Sequence, residues 1–169
     1  MEKIAKFEKV SFEQFYKDWK KNFVCTDEEV KEIYDNIQLP QRATKQSAGY
    51  DFYAPIDIEM KPGEVKLIPT GIRAKIDNGY VLMLYPRSSL GFKFRMQLNN
   101  TVGVIDADYY NADNEGHIMC KFTNDTHEEK VLKVDRGAGM VQGIFMSFGI
   151  TVDDAVDTER TGGIGSTTK

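Results

Sequence analysis

The chain predicts an all-β fold that carries a helical segment at its N-terminus. From Gln41 onward, short runs of β-branched and aromatic residues alternate with turn signals such as Pro62-Gly63 and Asp77-Asn78-Gly79. Many short strands with regular turns build a β-sandwich, a jelly roll or a barrel. Ahead of them, residues 11 to 37 carry the apolar period of a helix instead. After Val152 the sequence turns polar and glycine-rich and reads as a mobile arm. The chain therefore divides into a helical extension over 1–38, a β catalytic domain over 39–152 and an arm over 153–169, all within a single domain and without internal repeat.

In order along the chain, Phe12, Phe15, Tyr16, Trp19 and Phe23 recur at helical spacing, with Ser11 and Gln14 placed as a capping box. A second helix follows, opened by Thr26 and Glu29 as another capping box and carrying Val30, Ile33, Tyr34 and Ile37 on one face, until Pro40 stops it. An aromatic stripe of this kind is expected to pack on its own domain rather than on a partner. Strands are expected over 50–58, 65–69, 73–76 and 80–85, with Asn78-Gly79 as a type I′ hairpin turn, since both central residues tolerate positive φ. Further strands are expected over 102–105, 117–122, 131–134 and 140–152. The acidic stretch Asn111 to Gly116 reads as a solvent-exposed inserted loop.

With 169 residues, 41 % apolar and 28 % charged, the composition is that of a soluble globular domain. No apolar stretch approaches the roughly 18 residues that span a bilayer, and the N-terminus lacks a secretory apolar core, so a cytoplasmic protein without a membrane partner is expected. Cys25 and Cys120 are too few for a disulfide framework, and with only His117 and His127 besides, a cage of His and Cys is not expected. A metal would be a hard cation brought on phosphate oxygens, which favours Mg²⁺ with no direct protein ligand. The net charge of −4 argues against a nucleic-acid polymer as ligand.

Two neighbouring runs carry the chemistry. In Tyr85-Pro86-Arg87-Ser88-Ser89-Leu90-Gly91, the proline stiffens the approach to a planar guanidinium that suits bidentate contact with phosphate oxygens, and Ser88 and Ser89 add donors. Read for structure alone, the same run is a surface turn. In Asn100-Thr101-Val102-Gly103-Val104-Ile105-Asp106-Ala107-Asp108-Tyr109, an apolar run ends in Asp106, expected half-buried at a strand end where it can activate a water. A turn aspartate is the structural alternative. Together these runs suggest phosphate-ester chemistry on a small nucleotide. Gly137 to Gln142 superficially matches a dinucleotide fingerprint, but a β-rich run follows it instead of a helix. The tail Gly162-Gly163-Ile164-Gly165-Ser166-Thr167 invites a phosphate-loop reading, yet such a loop must open a helix.

With Ala48-Gly49-Tyr50-Asp51-Phe52-Tyr53-Ala54, these four runs resemble the five ordered motifs of trimeric dUTPases over residues 39 to 169, most like the versions of phages and Gram-positive bacteria. The resemblance implies a distorted jelly roll, a homotrimer, and hydrolysis of dUTP to dUMP and pyrophosphate with Mg²⁺. It implies Asp106 as general base, Arg87 and Gln142 at the phosphates with Ser88 and Ser89, and Asp51 as a supporting residue. Ser89 stands where many members have glycine. Asn100, with Gly103 and Ile105, would meet the uracil edge in a hairpin, and Tyr109 would pack under the deoxyribose and refuse a 2′-hydroxyl. The arm residues Arg160, Ile164, Gly165, Ser166 and Thr167 would close over the substrate; Ile164 replaces the family's usual phenylalanine, and Arg160 lies one residue nearer to it than the usual arginine. Asp135-Arg136 precede the fourth motif, where the family has Asp-Arg after the glycine. Resemblance also implies sites shared among subunits: the first, second and fourth motifs from one, the third from another and the fifth from the last. Two alternatives stand beside this reading: a dCTP deaminase of the same fold, and a phage protein that binds a repressor through this scaffold. If phage-encoded, the protein would work in the host cytoplasm.

Overall fold

The computed structural model describes residues 2–158, 160 and 162. In chain order its elements are β1 (Ala5–Lys9), α1 (Phe12–Asn22), α2 (Asp27–Asp35), β2 (Gln41–Arg42), β3 (Tyr50–Tyr53), β4 (Ile58–Met60), β5 (Val65–Pro69), β6 (Ile72–Ile76), β7 (Tyr80–Pro86), α3 (Ser88–Phe94), β8 (Met96–Leu98), β9 (Gly103–Ile105), a 3-10 turn over Ala107–Asn111, β10 (Met119–Asn124), β11 (Leu132–Val134) and β12 (Gly139–Ser147). All strand pairs are antiparallel. The largest sheet runs β2-β3-β12-β7-β9, and the smaller ones pair β5-β10-β8, β11-β4 and β1-β6. The all-β jelly-roll expectation therefore holds. Among the described residues, no helix is long and apolar enough to cross a membrane.

Alternation sets the two faces of the large sheet. Along β7, Leu82 and Leu84 are buried in the main core with Phe52, Ile68, Phe122 and Met140, while Val81, Met83 and Tyr85 point the other way. The register aligns Ile144, Met83 and Val104 in one row across β12, β7 and β9 on that outer face.

Several strands and turns differ from expectation. The N-terminal segment is not wholly helical, because β1 precedes α1 and pairs with β6 over the register Ala5↔Ile76 to Lys9↔Ile72. Helix α2 ends at Asp35 rather than Ile37. Asn78-Gly79 does form a turn, but only Gly79 takes positive φ, and the strands it joins diverge into different sheets instead of forming a hairpin. Pro55 interrupts the run expected over 50–58, which becomes β3 and β4. β12 stops at Ser147 where β7 runs out opposite it at Tyr80.

The aromatic stripe packs on its own domain. Phe15 and Trp19 are fully buried, stacked at 5.1 Å between ring centroids, and burial of each such side chain stabilises by roughly 1.5–3 kcal/mol. Polar contacts fix the same helix. Asp18 accepts from Gln14 at 2.7 Å and lies 2.7 Å from His117 Nδ1, all three groups buried. The N–H of Gly71 donates to His117 Nε2 at 2.8 Å, so the proton sits on Nδ1 and is donated to Asp18. Gly71 has φ +73°, and a Cβ there would lie 2.2 Å from Ile37, so only glycine fits beneath the end of α2.

The expected capping box of α1 forms by half. Ser11 Oγ accepts from Gln14 N at 3.1 Å, but the Gln14 side chain goes to Asp18, and Glu115 from the far loop takes the Ser11 N–H at 2.7 Å and its hydroxyl at 2.6 Å. The box at Thr26 and Glu29 is complete. The loop Asn111 to Gly116 is accordingly no free excursion into solvent: Ala112 and Gly116 are buried, and Arg73 stacks on Tyr110 at 3.5 Å beside it.

These contacts link stability to pH. Burial raises the carboxyl of Asp18, but the bonds from His117 and Gln14 outweigh it and hold the group below its ordinary value of 3.8; at Glu115 burial is likewise outweighed by the Ser11 bonds and Arg73, holding it below 4.5. The unfolded chain thus takes up these protons first, so the stabilisation is complete above pH 4.5 and is lost as pH falls through the lowered folded values. Denaturant titrations from pH 7 to pH 3 should show this decline, with a shallower slope in Glu115→Gln. An identical slope in that variant would remove Glu115 from the linkage.

Candidate active site

The residues singled out from sequence gather in two groups, one at the Pro86 end of β7 and one beside β9, which pairs with β7 over Leu82 to Leu84. At one end, register sets Asp51 of β3 beside Gln142 of β12, and Gln142 beside Tyr85 of β7, with Arg87 just beyond. Asp51 is only 15 % exposed at its side chain and lies 3.5 Å from Arg87 Nε, which holds the guanidinium by charge and leaves it two-fifths open to solvent. Glycines make room for both working side chains. A Cβ on Gly139 would stand 2.4 Å from Arg87 Nη1, and one on Gly49 would stand 2.7 Å from Gln142 Oε1. Ser88 and Ser89 are exposed in the first turn of α3, a short helix where a surface turn had been the structural alternative. The end as a whole offers donors to an anion.

The second group lines a cavity of about 320 Å³ with Asn100, Gly103, Ile105, Tyr109 and Arg160 on its walls. Asn100 lies in a turn where Thr101 takes φ +62° and Val102 N donates to the Asn100 carbonyl at 2.7 Å. This turn is no hairpin: β8 before it pairs with β10, and β9 after it pairs with β7, so the cavity opens between two sheets. Gly103 is needed because a Cβ would come within 3.0 Å of the Leu84 Cβ. Tyr109 is buried, with its ring on the cavity and its hydroxyl donating to the His117 carbonyl at 2.8 Å. Cys120 shares the lining; full burial pushes its thiol up to about 12. The walls mix apolar surface with a few directed polar groups, as small-ligand sites do.

Asp106 follows β9 and caps the start of the 3-10 turn, next in sequence to Ile105 of the cavity wall. It is 56 % exposed in the single chain, more than the half-buried position expected, because it follows the end of an edge strand. The Arg160 Nη1 lies 3.2 Å from Asp106 and 3.3 Å from Asp108, with the guanidinium 5.0 Å over the Tyr109 ring. The described part of the arm thus covers the third motif of its own chain. Ile164, Gly165, Ser166 and Thr167 lie outside the described residues. Arg136, just before the fourth motif, pairs with Glu32 of α2 at 3.3 Å.

Sequence reasoning missed the residues that hold these groups. Asn114 donates to the Tyr109 hydroxyl at 2.7 Å, and Asp18, Glu115 and His117 fix the loop that carries it. Asp18 and His117 are 99 residues apart, so no local spacing could have joined them.

The dUTPase family model matches residues 35–168. The deoxyuridine 5′-triphosphate nucleotidohydrolase of Lactococcus lactis is 48 % identical over 144 residues, covering 82 % of this chain and 95 % of that protein. The crystal structure of the Streptococcus mutans dUTPase superposes with a TM-score of 0.63 at 38 % identity, over 86 % of this chain and 97 % of that one. A mutant dUTPase from phage phi11 of Staphylococcus aureus, whose structure reveals the coordination of a structural Mg(II) ion, shares the fold at a TM-score of 0.57 and 20 % identity, over 73 % of this chain and 92 % of that one. From the end of its second helix to its arm, the chain matches the dUTPase family, to which it belongs.

Proposed function

We propose that this protein hydrolyses dUTP to dUMP and pyrophosphate, through a site that closes only between copies of the chain in a homotrimer. The register of β7 carries the second half of this reading. Ile105 faces Leu82, so Asp106 lies level with Val81, while Arg87 follows the opposite end of the strand. At roughly 3.3 Å per residue the two stand about 20 Å apart, too far to act on one phosphorus. Between them the outer face is apolar: Val81, Met83, Val104, Ile144 and Met146, with Val104 55 % and Met146 48 % exposed. Seating a second copy there buries that surface and carries its Asp106 to the Arg87 end of the first.

In the assembled site the uracil enters the cavity, where Asn100 and the backbone around Gly103 and Ile105 meet its edge. A site built for uracil's donors and acceptors leaves buried groups unpaired when cytosine enters. Tyr109 packs under the deoxyribose, where a 2′-hydroxyl would collide with the ring. Asp106 takes a proton from the attacking water as it forms the new bond to the α-phosphorus, and pyrophosphate leaves on the opposite side. Arg87, oriented by Asp51, holds the phosphate oxygens with Ser88, Ser89 and Gln142 and stabilises the charge that develops there. Among the described residues no three His, Cys, Asp or Glu side chains converge on one point, whereas the donor-lined Arg87 end suits a triphosphate that arrives with its own cation. When bound, Mg²⁺ on those oxygens supplies charge neutralisation. Arg160 exchanges Asp106 for substrate as the arm of a third copy, with Ile164, Gly165, Ser166 and Thr167, folds over it.

Three measurements test this reading. Asp106→Asn should bind dUTP and lower kcat by at least roughly 10²-fold, the lower range for a general base; near-normal turnover would remove Asp106 from the mechanism. Copies bearing Asp106→Asn and copies bearing Arg87→Ala, each inactive alone, should regain pyrophosphate release when unfolded and refolded together. No recovery would return both residues to one chain's site. Wild type should also prefer dUTP strongly over UTP, and Tyr109→Ala should narrow that preference, whereas comparable hydrolysis of UTP by wild type would defeat the assignment of the sugar site.

A further inference from the structure

Tyr109 is held at both ends. Its backbone begins the turn into the acidic loop, and its hydroxyl is gripped by that loop's exit: Oη donates to the His117 carbonyl at 2.8 Å and accepts from Asn114 Nδ2 at 2.7 Å. The Asn114 amide has its other end engaged as well, since Oδ1 accepts from Gly116 N at 3.2 Å, which fixes its orientation. The loop cannot drift. Glu115 and Gly116 both take positive φ, at 58° and 67°, and a Cβ on Gly116 would stand 2.6 Å from the Tyr109 carbonyl oxygen. Glu115 is bonded to Ser11 at the start of α1, and the His117 ring is locked between Gly71 and Asp18.

A ring that rejects one hydroxyl by contact must be held to within about half an ångström, and a tyrosine fixed at its backbone alone can tilt by more than that. We propose that Asn114 is a specificity-positioning residue: by fixing the Tyr109 hydroxyl from the inserted loop, it keeps the ring pressed to the sugar and sets the discrimination between deoxyribose and ribose. Through Glu115 and His117 the N-terminal helix α1 backs the same ring. This inference rests on the dUTP-hydrolysing reading.

The test compares kcat and KM for dUTP and UTP in wild type, Asn114→Ala, Tyr109→Phe and the double variant. Asn114→Ala should lower the dUTP to UTP ratio of kcat/KM by roughly 3- to 10-fold, about the effect of one hydrogen bond, chiefly by raising kcat/KM for UTP while kcat for dUTP stays within about twofold. Tyr109→Phe removes this bond together with the one to the His117 carbonyl and should lower the ratio at least as much, and the double variant should lower it no further than Tyr109→Phe alone. A loop that served only for stability would lower both substrates together. Equal losses on dUTP and UTP, an unchanged ratio, or additive effects in the double variant would each overturn the inference; should Asn114→Ala fail to fold, an unchanged ratio in Tyr109→Phe does the same. A wild type that hydrolyses UTP as fast as dUTP defeats the underlying reading instead, so the two failures are separable.

Discussion

Strand β7 is hydrogen-bonded on both sides, to β12 and to β9, and the order of the whole site depends on that double pairing. The neighbours can approach because each presents glycine where β7 presents leucine. Gly143 faces Leu84, and a Cβ on it would meet the Leu82 side chain at 2.8 Å; Gly103 also faces Leu84, against which a Cβ would stand at 3.0 Å. With the inner face so filled, no strand can slip by one residue without turning its apolar set outward. The same register decides what lies at each end. A slip of β9 would move Asp106, and a slip of β12 would move Gln142 away from Asp51 and Arg87.

A second tie holds the N-terminal segment to the sheets. Residues before 35 fall outside the match to the family model, yet they are joined to the β-structure by the β1–β6 pairing, by a small aromatic core around Phe15 and Trp19, and by the Asp18–His117 contact. Removing one partner of a buried hydrogen bond of this kind typically costs roughly 1–3 kcal/mol or more, because the charged or polar group left behind is buried and unsatisfied. The inserted loop acts as the socket for this addition. Its Glu115 answers the N–H and hydroxyl of Ser11 at the start of α1, and its Asn114 answers the tyrosine on the cavity wall.

Much of this was legible in the sequence, for identifiable reasons. The helices of the N-terminal segment announce themselves by aromatic spacing, and most strands by β-branched runs between glycine and proline. The five motifs are local, so Asp51, Arg87, Asn100, Asp106, Tyr109 and Gln142 could be named before any of them had a position. What escaped was short or distant. β1 is five residues long with only Ala5 and Phe7 apolar and has too little pattern to stand out, and α3 contains Gly91 and two phenylalanines that weaken a helical signal. The loop at 111–116 reads as solvated because its composition is polar, yet Glu115 finds its partner 104 residues earlier. Asp106 looked half-buried because an apolar run precedes it; being at a sheet edge is a property of topology and not of the run.

The two thiols stand in unlike surroundings. Cys120 sits in the wall of the nucleotide-sized cavity, fully enclosed and kept protonated by burial, whereas Cys25 stands partly open just ahead of α2. Only a thiolate reacts readily with alkylating agents or peroxides. The molecule consequently offers a labelling chemist one handle on the N-terminal segment, where a fluorophore could report on helix docking, and keeps the cavity wall chemically silent.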